Sequence, residues 1–264
     1  MNPPIDGAFD LQNALQLLDA SAQAYDPIPT RGSSVLCARA TDTRVLVLSG
    51  AADGIIAFRG TANLRNWLTD LECDLKPWQS PHARVHAGFR AAWRSVRDDV
   101  IEAVEDFGPD RRIWLTGHSL GGALAMLAAL DLKREVSNAA HLAGCYTFGQ
   151  PRVGNADFRS WYNAVFRERT FRVVHSDDIV ARVPWLLGSY RHAGTEVFFP
   201  SFAAAPIVDP PWWRKLPSDA AGLARAWSCG ADALLRDHYV RSYINLLARS
   251  PAGQTLNSTS TIQG

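Results

Sequence analysis

Residues 112–125 read Arg112-Ile-Trp-Leu-Thr-Gly-His-Ser-Leu-Gly-Gly-Ala-Leu-Ala125, and the architecture follows from how this stretch divides. Arg112–Thr116 is a short apolar run of strand type that breaks at Gly117. Leu120 to Leu132 is so rich in Ala and Leu that a helix there has to be buried on most sides. Between them stands Gly117-His118-Ser119-Leu120-Gly121, a G-x-S-x-G pattern. A tight strand-to-helix turn presents the Ser119 hydroxyl at the top of a sheet, and glycines on both flanks let neighbouring backbone approach without a Cβ clash. The helix start adds N–H groups and a positive dipole end where an oxyanion would form. A chance match arises in roughly one chain of this length in ten, so the strand before and the helix after carry the case for Ser119 as nucleophile.

Working outward, Leu11–Tyr25 places Leu11, Ala14, Leu17 and Leu18 on one helical face. Arg44–Ser49 and Gly54–Phe58 are β-rich runs joined by the short loop Gly50–Asp53. Phe89–Phe107 is expected as one helix, with Trp93, Val96, Val100 and Val104 as its buried stripe and Gly108-Pro109 as its stop. Further strands are expected at Gly144–Phe148 and Phe171–Val174, with a helix over Ala156–Phe166 between them. A final helix carries Val240, Tyr243, Ile244 and Leu247 on one face. Strands alternating with helices of this length imply an α/β fold, a mostly parallel central sheet covered on both faces. One domain over residues 1–249 accounts for the pattern; the polar tail 250–264 is expected to be disordered.

Composition narrows the function classes. The 264 residues are 47% hydrophobic and 20% charged, an ordinary globular balance. A formal charge of +1 leaves no general electrostatic reason to bind nucleic acid. Cys37, Cys73, Cys145 and Cys229 are too dispersed for a CxxC motif, and neither a metal nor an organic cofactor is expected. No stretch has the apolar length of a transmembrane helix. Met1–Asp6 lacks a basic region followed by an apolar one, so no signal peptide is read. A cytoplasmic location is the expectation, export by an unrecognised route the alternative, and a monomer the default state.

A serine nucleophile needs a base to take its proton and a third group to orient that base. Where an elbow of this type sits on an α/β sheet, the chain order is Ser, acid, His. His192 and His238 lie downstream, and the strand Phe171–Val174 runs into His175-Ser176-Asp177-Asp178, which offers two acids. His238 opens the last helix, a loop-like position able to reach the sheet edge. His192, near Tyr190 and the run Glu196–Phe199, reads as a structural hydrogen-bonder.

Beyond the elbow, five further segments point one way: Ile56-Ala-Phe-Arg-Gly-Thr61, Asn66-Trp67, Val85-His-Ala-Gly-Phe89, Tyr146-Thr-Phe-Gly-Gln-Pro-Arg-Val-Gly154 and Arg172-Val-Val-His-Ser-Asp-Asp-Ile-Val180. With Asp237-His238 they make the chain resemble the class 3 lipases, the fungal-type triacylglycerol lipases of the α/β-hydrolase fold. The resemblance implies Ser119 as nucleophile and His238 as base. Its H-x-x-D-x-V segment matches His175, Asp178 and Val180, which implies Asp178 rather than Asp177 as the acid. It implies the backbone N–H groups of Leu120 and Thr61 as oxyanion donors, Thr61 adding its hydroxyl. Ala181 stands where the family often has Pro.

Residues 63–75 put Leu64, Trp67, Leu68 and Leu71 at i, i+3, i+4 and i+7, with Asn63 a candidate N-cap. Such a helix packs against a core as readily as it covers a site. In the resembled family this position, about 62–75, is a helical lid whose apolar face meets lipid when open. The expected substrate is therefore an acyl-glycerol ester at a lipid–water interface. Phospholipase A1 and feruloyl esterase are alternatives on the same scaffold, and the apolar lid stripe favours long acyl chains over a phenolic ester. An inactive hydrolase-like binding protein is the non-enzymatic alternative.

Overall fold

The computed structural model describes residues 1, 8–30, 32–61, 74–136, 141–176, 178–184, 189–200, 205–211 and 235–249. The strands are β1 (Ser33–Ala38), β2 (Thr43–Ser49), β3 (Asp53–Phe58), β4 (Leu75–Pro77), β5 (Arg84–His86), β6 (Arg112–His118), β7 (Leu142–Phe148), β8 (Thr170–His175), β9 (Thr195–Phe199) and β10 (Ile207–Val208). Among the described residues, eight of them form one sheet in the order β1-β2-β3-β6-β7-β8-β9-β10, while β4 and β5 pair separately. β1–β2–β3 is an antiparallel meander. From β3 through β9 every neighbour is parallel, and β10 returns antiparallel.

The helices are α1 (Leu11–Gln23), α2 (Ala87–Arg94), α3 (Arg97–Glu105), α4 (Leu120–Glu135), α5 (Ala156–Phe166) and α6 (Val240–Ala248). α2 to α5 cover one face of the sheet: Phe89, Trp93, Val100, Leu124, Leu127 and Phe158 share a core with Ile56, Ile113 and Leu115. α1 and α6 cover the other, where Ala14, Leu17, Tyr243 and Leu247 meet Trp114, Tyr146, Phe171 and Val173. Parallel strands buried on both faces need this double cover, and each buried Leu or Phe contributes about 1.5–3 kcal/mol. Among the described residues no helix is long and apolar enough to cross a membrane.

Three expectations change in detail. The helix foreseen over Phe89–Phe107 is two, α2 and α3, broken at Val96, whose φ is −124° and ψ 0°. Ser95 causes the break locally: its hydroxyl meets the Ala92 carbonyl at 2.8 Å and the Thr41 hydroxyl at 2.6 Å, an alternative to continuing the helical ladder. Trp93, Val96, Val100 and Val104 are all buried regardless, so the apolar spacing runs straight across a break it cannot reveal. In α6, Tyr243 and Leu247 are buried but Ile244 is exposed. Edge strand β1 gave no signal because Ser33-Ser-Val-Leu-Cys-Ala38 is half-buried and pairs only with β2. The tail 250–264 and most of the expected lid, residues 62–73, lie outside the described residues; the lid's expected last residue, Leu75, instead opens β4, paired with His86.

Register brings the chemistry to one edge. Phe58 pairs with Gly117, His118 with Phe148, and His175 with Phe199. Thr61, Ser119 and Asp178 therefore all follow carboxyl ends of parallel strands, where open α/β sheets form their crevices.

Candidate active site

Ser119 joins β6 to α4 with φ 58° and ψ −130°, a left-handed geometry that costs a non-glycine residue about 1–3 kcal/mol. The two flanking glycines make it attainable. A Cβ on Gly117 would run into the Gly121 carbonyl, and one on Gly121 into the Phe58 carbonyl oxygen. The Ser119 N–H is tied to the Phe148 carbonyl at 2.9 Å. The side chain ends up buried, with no hydrogen-bond partner for Oγ among the described residues.

Asp178 follows β8 in a turn it helps to close, Oδ1 accepting the Val180 N–H at 2.8 Å. His238 Nδ1 lies 2.9 and 2.8 Å from its two carboxylate oxygens, and the Tyr243 hydroxyl donates to Oδ2 at 2.5 Å. All three side chains are fully buried. Burial pushes the Asp178 carboxyl up, but the His238 charge and the hydrogen bonds from His238 and Tyr243 outweigh it, holding the acid below the ordinary carboxylate value. Burial and the adjacent Asp178 charge push the Tyr243 hydroxyl well up, so it stays a donor. With Nδ1 committed to Asp178, His238 Nε2 is left without a partner among the described residues.

Ser119, His238 and Thr61 line one cavity of about 670 Å³, together with Tyr25, His118 and residues of the α6 start, Tyr239 to Ser242. Leu120 opens α4, so its N–H has no intrahelical acceptor. The sequence-derived set Ser119, Asp178, His238, Thr61 and Leu120 thus gathers at one place. Asp177 and the lid residues Leu64, Trp67, Leu68 and Leu71 lie outside the described residues. His192 Nε2 meets the Ala181 carbonyl at 2.7 Å, away from the cavity, as a structural role requires. Among the described residues no cluster of His, Cys, Asp and Glu could hold a metal ion.

Three residues of the site escaped the sequence reading. Tyr243 was legible only as an apolar-stripe residue, and nothing in spacing reveals where its hydroxyl goes. His118 occupies the variable position of the elbow motif, and Tyr25 lies just beyond α1. Their hydrogen bonds span the fold: Tyr25 Oη to His118 Nδ1 is 2.9 Å, and His118 Nε2 to the His238 carbonyl is 2.5 Å.

The family model described as "Lipase (class 3)" matches residues 55–187, half of the chain. The secreted mono- and diacylglycerol lipase 1 of Fusarium solani is 35% identical over 150 residues, 54% of this chain and 42% of that protein. The lipase of Rhizomucor miehei is 35% identical over 167 residues, 59% and 44%. The match thus spans less than half the length of either relative. The solved structure of the Rhizomucor miehei triacylglyceride lipase superimposes with a TM-score of 0.64 at 28% identity, over 72% of this chain and 81% of that one. The shared architecture is the α/β-hydrolase fold.

Proposed function

The chain belongs to the class 3 lipase family, and from that premise we propose that it is a serine hydrolase of acyl-glycerol esters, triacylglycerols among them. One observation supports this most: Ser119 Oγ and His238 Nε2, both buried and both unpartnered among the described residues, line one cavity beside Thr61 while Asp178 holds the far side of the imidazole. Ser119 attacks the ester carbonyl as His238 takes its proton, and Asp178 keeps the Nδ1–H tautomer and steadies the imidazolium. The N–H groups of Thr61 and Leu120 stabilise the oxyanion, each worth about 2.7–4 kcal/mol. His238 then protonates the leaving alcohol, and water cleaves the acyl-enzyme by the reverse path. Two secreted relatives, from Fusarium solani and Penicillium cyclopium, favour an extracellular site of action for this chain as well.

Residues 62–73 act, on this reading, as a lid that exchanges buried for lipid-contacting apolar surface. Initial rates on a sparingly soluble triglyceride are expected to jump as its concentration passes the solubility limit. Saturation below the limit would reduce these residues to a packing helix and the protein to an esterase of soluble substrates.

One observation favours the phospholipase A1 reading as a second activity. Arg241 lines the cavity from the first turn of α6, exposed and with no ion-pair partner among the described residues, and no described acid lines the same cavity. A cation there attracts an anionic head group, by an amount that an exposed pair limits to about 0.2–1 kcal/mol. Relative kcat/KM for phosphatidylglycerol over a diacylglycerol with the same acyl chains is expected to fall about 1.4- to five-fold in Arg241→Ala. An unchanged ratio would remove Arg241 from head-group recognition.

A further inference from the structure

The tautomer of His118 follows from its partners. Nε2 faces a backbone carbonyl, that of His238, which can only accept, so Nε2 carries the proton and Nδ1 must accept in turn. The Tyr25 hydroxyl supplies the donor. Burial, followed by the His238 charge, pushes the His118 imidazole down to about 3, so it stays neutral with this one proton arrangement at any working pH. Tyr25 is itself committed on its other side, where the Gly60 backbone hydrogen-bonds its oxygen and a Cβ on Gly60 would collide with it.

The chain of bonds has one direction and touches three places at once. Gly60 immediately precedes Thr61, and His118 immediately precedes Ser119. The third contact is made to His238 itself, whose ring lies 4.6 Å from that of His118, centroid to centroid. Asp178 orients the His238 ring, but its main chain needs a separate brace, and a carbonyl held by the residue next to the nucleophile provides one. We propose that His118 and Tyr25 are positioning residues of the hydrolytic site, the Tyr25-oriented imidazole of His118 holding the His238 backbone in register with Ser119. This rests on the triad reading given above. The second residue of the G-x-S-x-G elbow is then as constrained here as its serine.

The test compares His118→Leu, His118→Gln and Tyr25→Phe on a soluble short-chain p-nitrophenyl ester. His118→Leu, which keeps the bulk and loses the donor, is expected to lower kcat about ten- to a hundred-fold at unchanged KM, the scale of a base displaced by less than 1 Å. His118→Gln, whose amide N–H₂ can reach the same carbonyl, is expected to recover most of that loss. Tyr25→Phe deletes a single hydroxyl and is expected to fall in between. Proton NMR gives a second readout: the His238 Nδ1 proton, on its bond to Asp178, is expected to shift in His118→Leu and to return in His118→Gln. A wild-type kcat in His118→Leu and Tyr25→Phe would overturn the proposal, as would a Gln variant no better than Leu. If the wild type turned over no ester, the triad reading would fail by itself, and an unmoved His238 resonance in His118→Leu would then separately overturn the brace.

Discussion

Ester hydrolysis by Ser119→Ala is expected to fall by about 10⁶-fold in kcat, to the residual rate that binding and an oxyanion hole support without a nucleophile. The same variant is expected to fold at least as well as the wild type. Ser119 Oγ is buried and unpartnered among the described residues, and an unsatisfied buried polar group costs about 1–3 kcal/mol. The hydroxyl is thus a stability liability kept at a reactive position. The strained backbone at φ 58° persists, because Ala relieves it no better than Ser. Kinetics on a soluble ester with a thermal melt alongside check both halves. Activity near wild type would refute the assignment of Ser119, and a large drop in melting temperature would show that the loss comes from unfolding.

Asp178→Asn is expected to lower kcat about 10⁴-fold, since an amide permits the wrong imidazole tautomer and cannot steady the imidazolium. Unlike the serine variant, it is expected to be destabilised by about 1–3 kcal/mol, because an amide cannot accept from all the buried donors that the carboxylate satisfies. Four donors converge on this carboxylate: His238 Nδ1, the Tyr243 hydroxyl and the N–H groups of Val180 and Ala181. The pH dependence carries a definite sign. The folded-state pKa of Asp178 is depressed below 3.8, so the unfolded chain binds more protons as the medium turns acid. Its contribution to stability is complete above the unfolded value and lost as pH falls through the folded one. Denaturation of the two proteins should therefore differ most near neutrality and converge in acid. Equal stability at pH 7 would mean that Asp178 is not held as a buried carboxylate.

Several elements were open to sequence reading because their causes are local. The elbow is legible because a close backbone crossing admits only glycine, at Gly117 and Gly121. α4 is legible because a helix between two layers has no polar face to keep, and α5 because Asn155 caps its start, accepting the Phe158 N–H at 3.0 Å. The break between α2 and α3 was not legible, since both segments bury the same stripe and the cause is a hydroxyl contact from Ser95 to Thr41, 54 positions away.

The candidate site divides along the same line. Residue types and their order along the chain point to Ser119, to His238 and to an acid at Asp177 or Asp178, because acyl transfer needs a nucleophile, an orienting acid and a base; only the resemblance to the class 3 lipases selects Asp178 of the two. What ties them together is decided only in three dimensions. Tyr243 reaches Asp178 across 65 residues, and His118 reaches the His238 carbonyl across 120. Each depends on where a helix docks on the sheet, and sequence periodicity says which face of a helix is buried but not which atom its hydroxyl or imidazole will meet. The sequence by itself determined the chemistry available to this protein. The packing of α1 and α6 against the sheet decided how that chemistry is held, because hydrogen bonds between distant segments exist only once the apolar faces have fixed the segments' positions.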